Sequence, residues 1–192
     1  MSSDSNIDSN DPAQVLAATQ HWLTRAVIGL NLCPFAKAVY VKQQIRYIVS
    51  DARDFEAVIT ELEMALRRLA ECDPLEIDTT LLILPHALAD FDDFNDCLHL
   101  TDRLLKSMRL QGVLQIASFH PQYQFAGNQV DDIENYTNRA PYPILHLLRE
   151  GSIDRAVEAF PDAAGIYERN EATLRELGHA GWRAWMNQTD EL

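Results

Sequence analysis

A chain of 192 residues with 47% hydrophobic and 23% charged residues fits one globular domain, able to bury a core without metal or disulfide staples. It contains no apolar stretch approaching the roughly 20 residues of a membrane span. Sixteen Lys and Arg against 29 Asp and Glu leave a formal charge of −13, a field that repels nucleic acid and anionic membranes, though a local basic pocket can still hold a small anionic ligand.

Residues 1–11 are mostly Ser, Asn and Asp, without the basic start or apolar run of a secretory signal, and read as a disordered leader to a single α/β domain over 12–192. A helical stripe follows over 12–28 (Val15, Leu16, Trp22, Leu23, Ala26, Val27), with Pro12 at its start and Gly29 past its end. After a short turn, Pro34 suits the first position of a short helix running to about Val41, which makes Cys33 its N-cap. Strand-like runs at 45–49, 79–84 and 113–119 alternate with helical patterns at 54–71 and 91–110, which implies parallel pairing through helical crossovers.

The middle run is apolar on both faces and is predicted to be central. If the strands lie in the order one-two-three, right-handed crossovers put both connecting helices on one face, leaving the other to the N-terminal and C-terminal helices. Residues 121–140 have neither helical nor strand period, and a loop this long in a compact domain is functional or disordered. Its three aromatics, Tyr123, Phe125 and Tyr136, argue for order. From Pro141 the pattern reads as helical through Arg149, breaks at Gly151, and resumes over 152–160 and after Pro161. The expected fold is α/β, a small three-stranded, mainly parallel sheet flanked by helices, with a helical C-terminal third.

Three stretches carry a resemblance: Asn31-Leu32-Cys33-Pro34-Phe35-Ala36; Phe119-His120-Pro121 with Tyr123 and Phe125; and Asn138-Arg139-Ala140-Pro141-Tyr142-Pro143, running into His146-Leu147-Leu148-Arg149-Glu150. Together they resemble a bacterial and plant family catalogued as domain of unknown function 1415, over roughly residues 15–158. The resemblance implies that these motifs travel together; it brings no activity and transfers no catalytic residue. Cys33 to Lys37 also resembles the active-site turn of glutaredoxins, with Ala36 where a dithiol member has its second Cys.

The candidate chemistry begins at Cys33, because unpaired N–H groups and the dipole at a helix start favour a thiolate, with Lys37 one turn on. Free cysteines are also among the most buried residues, and Cys-Pro can simply shape a turn. Cys72 and Cys97 sit inside helical patterns as packing residues. The three cysteines form no C-x-x-C pair, which argues against a disulfide framework or zinc site and suits a reducing cytoplasm.

Asp51, His86 and His120 are predicted to emerge at one carboxyl edge of the sheet, where open α/β sheets bind ligands. His120 can serve as acid or base near neutral pH, or as a histidine bonded to loop carbonyls. Tyr123, Asn135, Asn138, Arg139, Tyr142, His146 and Arg149 supply polar groups for a substrate, the two arginines suiting a carboxylate or phosphate. They serve equally well as loop braces beside Asp131, Asp132 and Glu134. His146 and Arg149, three apart, would share a helix face. No metal-ligand spacing, phosphate loop, dinucleotide fingerprint or G-x-S-x-G is present, so no metal or cofactor is expected.

These features lead to an expected small cytoplasmic enzyme, a Cys-dependent hydrolase, transferase or thiol redox catalyst acting on an anionic metabolite. Cys33 would be the nucleophile, His120 the acid/base and Arg139 the anion-orienting group. The alternative is a noncatalytic ligand- or protein-binding domain that uses the 120–142 loop.

Overall fold

A computed structural model describes residues 11–159 and 165–188; the leader expected over 1–11 lies, apart from Asp11, outside them. The Asp11 carboxylate accepts the Ala13 N–H and Pro12 opens helix α1 (Pro12–Trp22), so a side-chain acceptor and a preset φ start the helix together. The helix runs on into a π-helical turn, Leu23–Ile28. Val15, Trp22, Leu23, Ala26 and Val27 of the expected stripe are buried. Helix α2 spans Ala36–Val41, later than Pro34 suggested, and Phe35 rather than Cys33 stands at its N-cap position.

Four strands form the sheet: β1 (Ile45–Val49), β2 (Thr79–Ile83), β3 (Leu114–Phe119) and β4 (Ile144–Arg149), in the order β1-β2-β4-β3. β1 and β2 are parallel, and β4 runs antiparallel to both β2 and β3. The first three strands therefore point one way and β4 is wedged between two of them. This corrects the expected three-stranded sheet and the helix expected over 141–149. Ile-Leu-His-Leu-Leu-Arg is too short for periodicity to separate a helix from a strand buried on both faces. The pair Tyr142-Pro143 biases the entry to extended backbone, and β2 and β3 supply the partners that make a strand the better outcome.

Helices α3 (Phe55–Glu71) and α4 (Phe91–Ser107) connect the strands and share one face, where Leu62, Leu66 and Phe94 pack with Leu82, Leu84, Leu145 and Leu147. The opposite face, with Leu81, Ile83 and Ile144, packs against α1, the π-turn and the far end of α6 (Ile166–Met186). The two-layer arrangement follows the expectation from crossover handedness. Each wholly buried Leu or Phe contributes about 1.5–3 kcal/mol of transfer free energy, so these two clusters dominate the stability of the sheet. Helix α5 (Glu150–Glu158) follows β4 directly, and the C-terminal part of the chain is helical, as expected.

Candidate functional site

Because β1, β2 and β3 point the same way, Asp51, His86 and His120 all follow strand ends at one edge of the sheet. His120 is wholly buried. Its Nδ1 accepts the Gln122 N–H at 3.0 Å, and its Nε2 lies 3.1 Å from the Leu88 carbonyl, which can only accept; the ring is the neutral Nε2–H tautomer. Phe91 and Phe94 lie against it, with ring centroids 5.3 and 5.0 Å away. Burial pushes its pKa down, only partly offset by the Leu88 carbonyl and the Asp90 charge. Both ring nitrogens are thus engaged in holding backbone.

Cys33 lies in the turn before α2, partly buried against the opposite layer, which includes Tyr47, Val49 and Phe119. The phenylalanines around His120 belong to the α3/α4 layer, so the sulfur and the imidazole pack in different layers, and no hydrogen bond joins them among the described residues. Burial pushes the Cys33 thiol up, and the N–H groups of Phe35 and Ala36 pull it down less strongly. The expected influence of the helix start is present and outweighed. Lys37 is exposed on α2.

The loop after β3 is ordered around its own polar side chains. Asn135, wholly buried in a 3₁₀ turn (Ile133–Thr137), accepts from Phe125 N–H and the Asn128 amide and donates to the carbonyls of Gln129 and Val130. Arg139 donates to the carbonyls of Tyr123 and Val130 and lies 4.6 Å over the Tyr136 ring. Asn138 donates to Ser118 O, and its own carbonyl accepts the His120 N–H. Tyr123 packs between Phe91 and Phe125, and Tyr142 packs toward α1 on the other layer.

His146 and Arg149 lie on β4, so residues three apart face opposite sides of the sheet; the shared helix face is corrected accordingly. His146 Nε2 is 2.7 Å from Thr79 Oγ1, whose proton goes to Leu147 O, so the imidazole donates. Burial lowers its pKa to about 4. Arg149 sits at the far end of the sheet, donating to the carbonyls of Leu69, Cys72 and Ile77 and so completing the C-terminus of α3.

The concave feature at the carboxyl edge is an open cleft of about 650 Å³ between the starts of α3 and α4 and the turn after β2. Its lining includes Arg53, His86, Leu88, Asp90, Asp93 and Asp96, with the buried Cys97 behind them. Of the site residues expected from the sequence, His86 alone contributes to it. Leu88 has φ 55°, a left-handed conformation that costs a branched side chain on the order of 1–2 kcal/mol, and the His120 Nε2–H holds its carbonyl. Nothing local distinguishes Arg53 in the sequence, whereas Asp93 and Asp96 belong to an acidic run, Asp90–Asp96, that lacks the glycine and ligand spacing of a calcium loop. The acids from Asp90 onward read as complements to a helix dipole, which Asp90 indeed is, accepting the N–H groups of Asp92 and Asp93. Among the described residues, no three His, Cys, Asp or Glu side chains converge as a metal site would require.

A family model described as "Protein of unknown function (DUF1415)" matches residues 14–184. The chain belongs to this family. No curated protein and no solved structure matches it. The motifs that carried the resemblance serve in this member of DUF1415 as joints between elements. Leu32 O accepts from Asn170 on α6 at 2.8 Å, Arg139 O accepts the Trp22 indole N–H at 2.8 Å, and Trp22 packs edge-on against Phe119 at 5.0 Å. Through α1 and its π-turn, residues of all three motifs (Cys33, Phe119, Ala140 and Tyr142) share the layer opposite α3 and α4.

Proposed function

We propose that this protein is a binding domain for a small polar metabolite, and that its ligand occupies the cleft at the carboxyl edge of β1 and β2. The observation that carries this reading is the built wall of the cleft: a strained, left-handed Leu88 held from behind by a buried, fully engaged histidine. Strain of this kind persists where surrounding structure over-determines it and gathers at ligand sites. A cleft of this size at this edge is also where open α/β sheets take ligands. His120 and the loop after it then serve as the frame, positioning Leu88 rather than touching the ligand. Three free thiols suit a cytoplasmic setting.

The test is an amide-resolved NMR titration of the full chain with mixtures of small polar metabolites. Shifts are expected at residues 53–55 and 86–97, and Ala89→Trp, at an exposed position beside the cleft, is expected to abolish them. Perturbations that gather around Cys33 instead would remove this assignment.

A second reading, a thiol enzyme centred on Cys33, is favoured by the Phe35 and Ala36 N–H groups acting on the sulfur. The two readings diverge in iodoacetamide labelling across pH. Because burial dominates, Cys33 is expected to label slowly at neutral pH and faster only as the solution becomes alkaline. Rapid labelling at pH 7 would restore the thiol enzyme.

A further inference from the structure

The charges around the cleft say what kind of ligand it would take, an inference that rests on the cleft being the binding site. Asp93, Cys97 and Leu100 line the cleft from α4 at helical spacing, with Asp96 beside them, so one stripe of the helix faces it. Asp54 and Asp90 also line it, but as helix caps Asp54 already accepts one backbone N–H and Asp90 two. Asp93 and Asp96 have no such partner among the described residues, and neither does Arg53 across the cleft. Phe55, Ala87, Leu88 and Leu100 add an apolar part to the same lining. Cys97, 1% exposed and without a hydrogen-bond partner among the described residues, adds a buried S–H to the lining.

An anion alone would meet one guanidinium against two uncommitted carboxylates, within a chain of formal charge −13; a cation alone would leave Arg53 unanswered. We infer that the ligand is a short aliphatic zwitterion, with its protonated amine toward Asp93 and Asp96 and its acid group toward Arg53. The inference keeps the acid group of the anionic ligand expected from the sequence and adds an amine to it. Both charged ends are held at the exposed rim, and the apolar spine lies over Ala87 and Leu88.

Three probes with the same five-carbon spine test it, titrated into the full chain at constant ionic strength and read from the amides of residues 86–97: 5-aminopentanoate, 1,5-diaminopentane and glutarate. The amino acid is expected to bind at least about tenfold more tightly than glutarate, a difference of about 1.4 kcal/mol, and more tightly than the diamine. Asp93→Asn with Asp96→Asn should erase the preference over glutarate, and Arg53→Gln should erase the preference over the diamine. All three positions are exposed, and the same spectra report whether each variant is folded. Glutarate binding at these amides as tightly as the amino acid would overturn the zwitterion and leave the cleft as the site. A diamine preferred over the amino acid would overturn the role of Arg53. No shift at these amides with any probe would overturn the site and the ligand together.

Discussion

A histidine whose two ring nitrogens both hold backbone is a brace, and His120 shows how far a brace can reach. Its Nε2–H keeps Leu88 in a left-handed turn while its Nδ1 orders the start of the following loop at Gln122. His120→Ala removes both bonds and leaves a cavity beside Phe91 and Phe94. It is expected to destabilise the chain by about 2–4 kcal/mol in urea denaturation, and to shift the amides of residues 86–90 in the folded variant. A loss below about 0.5 kcal/mol would show that Leu88 keeps its turn unaided.

A second, half-buried imidazole makes a pH-dependent contribution. His146 has a folded pKa of about 4 against an ordinary 6.5, so between these values the unfolded chain binds more protons and stability rises with pH. The contribution is complete above about pH 6.5 and is lost as pH falls through 4, amounting to at most about 3 kcal/mol. His120, also held below its ordinary value, acts in the same direction. Denaturation midpoints measured from pH 7 to 4 are expected to fall, and His146→Gln should flatten part of that slope. An unchanged slope in the variant would assign the acid sensitivity elsewhere.

At the scale of elements, what could be read depended on length and on distance. Helices α3 and α4 were legible because 17 residues each allow the apolar stripe to repeat, and Asp54 and Asp90 mark their starts as N-caps. The six residues of β4 were not, because their apolar run fits either period and the deciding hydrogen bonds come from β2 and β3. The polar residues after β3 were recognised as an ordered loop, but their partners are carbonyls within that loop, and sequence does not separate such a brace from a ligand clamp. Gly178 marks another boundary: at φ 61° and ψ 174° it breaks α6 in a region almost reserved for glycine. An added Cβ there would meet no atom within 4 Å. Gly178→Ala is therefore expected to cost on the order of 1–3 kcal/mol through backbone strain alone, seen as a lowered melting temperature; an unchanged melt would mean the kink relaxes without penalty.

At the scale of the molecule, the kinked end of α6 closes the layer over α1. Arg25 donates to Trp185 O and stacks 4.3 Å from the Trp185 ring, while the Trp185 indole donates back to Arg25 O and His21 donates to Met186 O. These contacts span about 160 positions of sequence, and no local pattern announces them.

The sequence by itself determined the α/β class, the two crossover helices, the layer that each set of helices covers and the edge at which three strand ends emerge. These follow from periodicity, caps and handedness, which act over a few residues or on every chain alike. Tertiary structure decided the fourth strand, the packing of Cys33 and His120 in different layers, the fate of Arg139 and Arg149 as donors to backbone carbonyls, and the meeting of Arg53 with Asp93 and Asp96 around one cleft. Each of these depends on which distant groups compete for the same hydrogen bonds and the same space, and that competition is settled only when the chain has packed.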